Sequence, residues 1–125
     1  MKREIKFRGL RTKYNPEWHE SPFKYGNLLN ECSIGEVGIG LYAYEYAEVD
    51  PESVGEYTGL KDKNGVEIFE GDIVKAWIDF GPGGQELRTF PVVIGSFGVN
   101  IQEWNYKEEL LPEVIGNIYE NPELL

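Results

Sequence analysis

The sequence is short of the residues that most chemistry needs. It has one cysteine, Cys32, one histidine, His19, and one methionine. A lone cysteine cannot form an internal disulfide, which excludes a disulfide scaffold and suits a reducing cytoplasm. No apolar run approaches the ~20 residues needed to span a bilayer. The start, Met1-Lys2-Arg3-Glu4-Ile5, is basic but leads into no apolar h-region, so it is not read as a signal peptide. The expectation is a cytoplasmic protein with no membrane association. The chain also lacks a GxxxxGK[ST] phosphate loop, a GxGxxG fingerprint and an HExxH pair.

What is present points to a small β domain. The 125 residues are a single-domain length, enough to bury about two-thirds of the surface of the unfolded chain. Hydrophobic residues make up 41% and charged residues 27%, an ordinary globular balance. Eight Tyr, six Phe, three Trp and fifteen Gly favour short strands joined by tight turns over long helices.

The formal net charge of −10 is unevenly spread. Residues 1–13 hold Lys2, Arg3, Lys6, Arg8, Arg11 and Lys13 against the single acid Glu4, so this stretch carries +5 and the remainder −15. A basic arm and an acidic body attract each other, within one chain or between copies. The acidic body argues against a general duplex-DNA binder, which needs a cationic face.

Along the chain, Lys2–Arg8 alternates Ile5 and Phe7 with charged residues, the pattern of a half-buried strand. Residues 12–27 are turn-rich, with Asn15-Pro16, Ser21-Pro22 and Gly26-Asn27, and are expected to hold little regular structure. Residues 28–40 are ambiguous, although Gly35, Gly38 and Gly40 disfavour a long helix. Residues 41–49 read as a strand with Tyr42, Tyr44 and Tyr46 on one face, and Asp50-Pro51-Glu52-Ser53 as a turn or one helical turn. Asn64-Gly65 is a strong hairpin signal, since both residues tolerate positive φ. Val66–Phe69 is the returning strand, Glu70-Gly71-Asp72 a second turn, and Ile73–Ile78 a buried strand. Gly81-Pro82-Gly83-Gly84 is a loop, residues 85–94 a strand with Pro91 marking an edge or bulge, and Val99–Gln102 a candidate for its resumption. Residues 105–111 read as a short helix ended by Pro112, and Glu113–Tyr119 as the last strand.

Three segments carry a family likeness: Arg3–Arg8, Glu56–Val74 and Val114–Leu125. In order and placement they resemble the YopX family of phage and prophage proteins. The resemblance implies a β-rich fold and an origin in phages or prophages of Gram-positive bacteria; it implies no established activity. Family members often carry an aromatic residue just beyond Phe7-Arg8, where this chain has Gly9-Leu10.

The shared pattern reads as structural. Gly59, Gly65, Gly71 and Gly116 stand where turns or bulges need small residues, and Tyr57, Leu60, Ile68, Phe69, Ile73 and Val74 would fill a core. Asp62, Asn64 and Gly65 hint at a calcium loop, but Val66 takes the place of a third ligand. His19, beside Trp18 and Glu20, is a general base only in principle; a loop imidazole fits better. Cys32 needs a nearby base to act as a nucleophile, and an inert thiol is the favoured reading. No spacing picks out a catalytic carboxylate pair. In the Gly-rich loop, Pro82 removes a backbone donor and no Lys follows, so it is no phosphate cradle. Trp77, Phe97, Trp104 and Tyr106 would make a stacking platform for single strands. Asp79, Glu103, Glu108 and Glu109 would repel phosphates, so core and interface packing is favoured.

The expected fold is therefore mainly β: a small SH3-like or related β-barrel or curled antiparallel sheet with one or two short helices. It forms one domain over 1–125, with residues 1–13 a basic strand or arm and 56–125 a β-barrel core. No enzymatic activity, catalytic residue, cofactor or metal is expected. The expected function is a protein-interaction or assembly module, acting by self-association or on a host or phage protein. A nucleic-acid-associated protein or acidic DNA mimic is the alternative, and a hydrolase with unidentified carboxylates a weaker third.

Overall fold

A computed structural model describes residues 5–37, 43–79, 82, 84–93 and 112–125. Among these residues the protein is mainly β, 55% strand, in antiparallel sheets that do not close into a barrel. Of the two forms expected, the curled antiparallel sheet is the one found. Among the described residues helix is limited to single 3-10 turns such as Pro51–Ser53 and Pro122–Leu124. The short helix expected at 105–111 and the strand expected at 99–102 lie outside the described residues. The chain divides into two compact units, Met1–Tyr57 and Thr58–Leu125.

In the first unit four strands form an antiparallel meander and the fifth returns to pair with the first. The unit contains β1 (Phe7–Leu10), β2 (Phe23–Asn30), β3 (Ser33–Val37), β4 (Ala43–Glu48) and the start of β5 (Gly55–Lys61). β1 is an interior strand: Phe7 faces Gly26 of β2 on one side and Glu56 of β5 on the other. Interior strands can be buried on both faces, and Arg8 and Gly9 are both buried. The expected alternation holds for neither Ile5 nor Arg8, while Lys6 and Phe7 are both half-buried. Arg8 is 5% exposed and Ile5 69% exposed. The Arg8 guanidinium lies 4.3 Å from the centre of the Phe23 ring, so the cation is held against an aromatic face while its stem is covered.

Gly9 is required by close approach. A Cβ there would lie 2.9 Å from both Cβ and Cγ2 of Val49 and 3.2 Å from Cδ1 of Ile34. Val49 and Ile34 are fully buried and fill the space beside position 9. The end of β1 is further tied by a bridge from Arg11 to Val49. Ser53 adds a second tie: its Oγ accepts from Leu10 N–H at 2.7 Å and donates to the Asp50 carbonyl at 2.6 Å.

β2 and β3 occupy residues expected to be irregular or ambiguous. Their connection is built by Asn30, whose Oδ1 accepts from the Cys32 N–H at 2.9 Å, an Asx turn. In β4 the period-2 pattern breaks, because Glu45 takes φ 50 and the β3–β4 register shifts between Ile34 and Glu36. Tyr46 is exposed; the side chains of Tyr42 and Tyr44 lie outside the described residues.

The second unit holds the rest of β5, β6 (Glu67–Phe69), β7 (Asp72–Asp79), β8 (Gln85–Pro91) and β9 (Glu113–Asn117). β5 pairs with β6, and β7 lies between β8 and β9. Its core gathers Ile68, Val74 and Val92, with Leu60, Phe90 and Val114 packed against them. Ile68, Phe69, Ile73 and Val74 are buried as the pattern predicts, as is Tyr57 at the end of the first unit, and Leu60 is half-buried. Pro91 ends β8, which stands at the edge of its sheet among the described strands. Gly59, Gly65 and Gly71 have φ of 88°, 81° and 93°, in the region glycine enters without steric cost.

Candidate functional site

Four buried polar residues of the family-like segments, Thr58, Asp62, Asp72 and Asn117, bond the backbone. Asp62 is 4% exposed. Its Oδ1 accepts from the N–H groups of Asn64 at 2.8 Å and Val66 at 2.9 Å, and its Oδ2 from Val114 N–H at 2.9 Å. Thr58 Oγ1 donates to the Ile68 carbonyl at 2.7 Å and accepts from Leu60 N–H. Asp72 Oδ2 accepts from Phe69 N–H, and Asn117 Oδ1 from the N–H groups of Tyr119 and Glu120. Each closes a turn or joins strands that hydrophobic periodicity cannot hold in register alone. A carboxylate serving three N–H groups is a poor cation ligand, so the calcium-loop resemblance at Asp62-Asn64-Gly65 is turn geometry. Among the described residues no group of three or more His, Cys, Asp and Glu side chains is placed to hold a metal.

The candidate reactive residues do not converge. His19 stands in the first unit, with Nδ1 accepting from Asn15 N–H at 2.9 Å and its ring stacked on Tyr14 at 5.9 Å. The imidazole caps a turn. Cys32 Sγ donates to Asn30 Oδ1 at 3.3 Å. An amide oxygen does not take a thiol proton at neutral pH, so this contact does not activate the sulfur. In the Gly-rich loop only Pro82 and Gly84 are described, with Gly84 at φ 100. Of the aromatic platform, Trp77 is 46% exposed on β7 beside Leu87 of β8, its cross-strand partner at 41%. Phe97, Trp104 and Tyr106, with Glu103, Glu108 and Glu109, lie outside the described residues, as does the Asp79 side chain.

Among its described residues, the first unit exposes mostly carboxylates. In the first unit Glu17, Glu20, Glu31, Glu36, Glu45, Glu48, Asp50 and Glu52 are all exposed, whereas Lys13 is the only fully exposed base among its described residues. Of the four bases in the described part of the basic segment, only Lys13 is exposed. Arg8 is buried, Arg11 is half-buried with Nε donating to the Ser21 carbonyl, and Lys6 lies 5.8 Å from the Tyr57 ring centre. Trp18, 79% exposed between Glu17 and Glu20, and Tyr46 beside Glu45 add apolar area to this surface. Net charge alone does not reveal it, because sequence places the charges of residues 1–13 in solvent. In the second unit the exposed charges are mixed: Lys61, Lys63, Lys75 and Arg88 with Glu86, Glu120 and Glu123. Two of those bases are already in ion pairs, Lys63 with Glu113 at 2.8 Å and Arg88 with Glu86 at 3.1 Å.

No helix among the described residues is long and apolar enough to cross a membrane. No curated protein matches the chain. The family model described as YopX protein matches residues 6–125, nearly the whole chain. The protein therefore belongs to the YopX family.

Proposed function

We propose that this protein is a non-enzymatic protein-interaction or assembly module of a phage or prophage, working in the host cytoplasm, and that it engages a cationic protein surface through its first unit. The observation that carries the reading is the eight exposed carboxylates of that unit, set against Lys13 as the one fully exposed base among its described residues. Such a surface steers and selects cationic partners and repels nucleic acid. The buried acids Asp62 and Asp72 bind backbone N–H groups, which weighs against the hydrolase reading.

Self-association is the first form of this reading. The second unit of another copy offers Lys61 and Lys75 without the acidic excess of the first. Deleting residues 1–9 is a poor test, because it removes most of the interior strand β1 and so disrupts the fold. Charge reversal is the better one. Light scattering of the wild type and of the triple variant Glu17→Lys, Glu20→Lys, Glu48→Lys should show an oligomer that dissociates in high salt and fails to form in the variant. A wild type that stays monomeric at low salt removes self-association and leaves a partner other than itself.

The same acidic surface favours a second reading, a mimic that occupies a nucleic-acid-binding host protein. It requires that the protein retain no labelled oligonucleotide itself, yet displace one from a host DNA-binding protein. Direct, salt-dependent retention of the oligonucleotide would overturn both readings.

A further inference from the structure

Asn64 and Gly65 form the tip of the turn between β5 and β6, and both are exposed. Three successive amides there are donated to one residue. Asn64 N–H and Val66 N–H reach Asp62 Oδ1 at 2.8 and 2.9 Å, and Gly65 N–H reaches the Asp62 carbonyl at 3.0 Å. The Gly65 nitrogen is the atom of interest, because an Asn-Gly pair rearranges when that nitrogen attacks the side-chain carbonyl carbon of the asparagine. The turn is uncrowded at this position: a Cβ on Gly65 would meet nothing within 4 Å.

We infer that Asn64 is a site of spontaneous deamidation, and that Asp62 is the latch that holds the reaction back in the folded chain. In the reaction the Gly65 amide loses its proton and its nitrogen bonds to Cγ of Asn64. The Cγ–Nδ2 bond breaks, and the side-chain nitrogen leaves as ammonia with the proton it needs. Water then opens the five-membered imide. Opening at one carbonyl gives an aspartate at position 64, and opening at the other gives an isoaspartate with one extra methylene in the backbone. While Gly65 N–H is donated to the Asp62 backbone carbonyl and the Asp62 carboxylate holds the amides on either side of it, the nitrogen keeps its proton and the turn stays fixed at φ 81. The reaction therefore runs from the opened turn. The isoaspartate product lengthens the chain between Asp62 and Val66, so one carboxylate no longer fits both amides. The same carboxylate holds Val114 N–H, so the modification also loosens the start of β9.

The full-length chain is incubated at mildly alkaline pH, in native buffer and in urea above its unfolding midpoint. It is then peptide-mapped for amide-to-acid conversion and isoaspartate at position 64. Conversion is expected in both, slower in native buffer by roughly tenfold or more, since three hydrogen bonds must open together. Asp62→Ala keeps the backbone acceptor of Gly65 N–H but removes the carboxylate that closes the turn around it, so the native rate should rise towards the unfolded one, and Asn64→Gln should abolish the product. Equal wild-type rates in the two solvents, no isoaspartate in the unfolded chain, or a folded Asp62→Ala variant that converts no faster than the wild type would overturn the inference. If Asp62→Ala does not fold, the wild-type comparison alone decides.

Discussion

The Asp62 carboxylate accepts from the backbone N–H of Val114 at 2.9 Å, across 52 residues of sequence. Its other oxygen closes the turn that precedes β6, so one side chain both shapes a hairpin and places the first residues of β9. Hydrogen bonds to a charged group contribute about 1.5–3 kcal/mol each, with losses at one residue far from additive. Asp62→Ala should cost about 2–4 kcal/mol, read as a fall in the urea midpoint. Asp62→Asn retains an oxygen for the turn but replaces the second acceptor with a donor, so it should lose the β9 link selectively. Amide exchange at Val114 should then rise more than at Val66. Equal increases at the two amides would show that the carboxylate does not act as two separable acceptors.

Two glycines should fail for different reasons. Gly9→Ala drives a methyl group to 2.9 Å from Val49 and 3.2 Å from Ile34, an overpacking cost of about 1–3 kcal/mol. Gly65→Ala meets no atom within 4 Å, but its φ of 81° is unfavourable for a residue with a Cβ, at about 1–2 kcal/mol. Shaving Val49 to Ala should recover part of the Gly9→Ala loss in a double-mutant cycle. The same Val49→Ala change should leave the Gly65→Ala loss untouched.

These contrasts mark where sequence reasoning succeeds. The turn at Asn64-Gly65 and the buried set Ile68, Phe69, Ile73 and Val74 follow from local signals, positive-φ tolerance and period-2 alternation, that act within a few residues. β2 and β3 stay hidden, because Gly26 and Gly35 lie where backbones approach closely: a Cβ on Gly26 would stand 2.7 Å from the Gly35 carbonyl oxygen. A glycine chosen for such an approach reads, in sequence, as a strand breaker. Arg8 misleads for a related reason. Charge predicts solvent, and only the fold reveals that Phe23 offers it an aromatic face. The acidic surface of the first unit is masked by the same inference, since a charge count treats the whole basic segment as exposed.

Glu45 holds a backbone conformation that glycine or asparagine adopts more readily, with φ 50 in the middle of β4. Its side chain is exposed, so little packing is lost on truncation. Glu45→Gly should relieve local strain of about 1 kcal/mol, partly offset by the greater freedom of glycine in the unfolded chain. The expected result is a thermal midpoint unchanged or slightly raised. A fall as large as glycine usually causes in a regular strand would mean that position 45 is not in the left-handed region in solution.

Arg8 separates two pictures of the N-terminal segment. Were it part of a detachable basic arm, replacing Arg8 would leave stability within about 0.5 kcal/mol of the wild type, as at most surface sites. In an interior strand, with its guanidinium 4.3 Å from the Phe23 ring centre, it contributes stem burial and a cation–π contact. Arg8→Ala should therefore destabilise the first unit by about 2 kcal/mol. Arg8→Lys should recover only part of this, because an ammonium group lacks the planar face that stacks on an aromatic ring. The loss should also persist in high salt, since a buried contact is screened far less than a surface charge. Chemical unfolding of the three proteins at low and high ionic strength makes the comparison. A neutral Arg8→Ala would return this residue to the solvent and, with it, a cationic patch to the surface that the acidic-face reading requires to be absent.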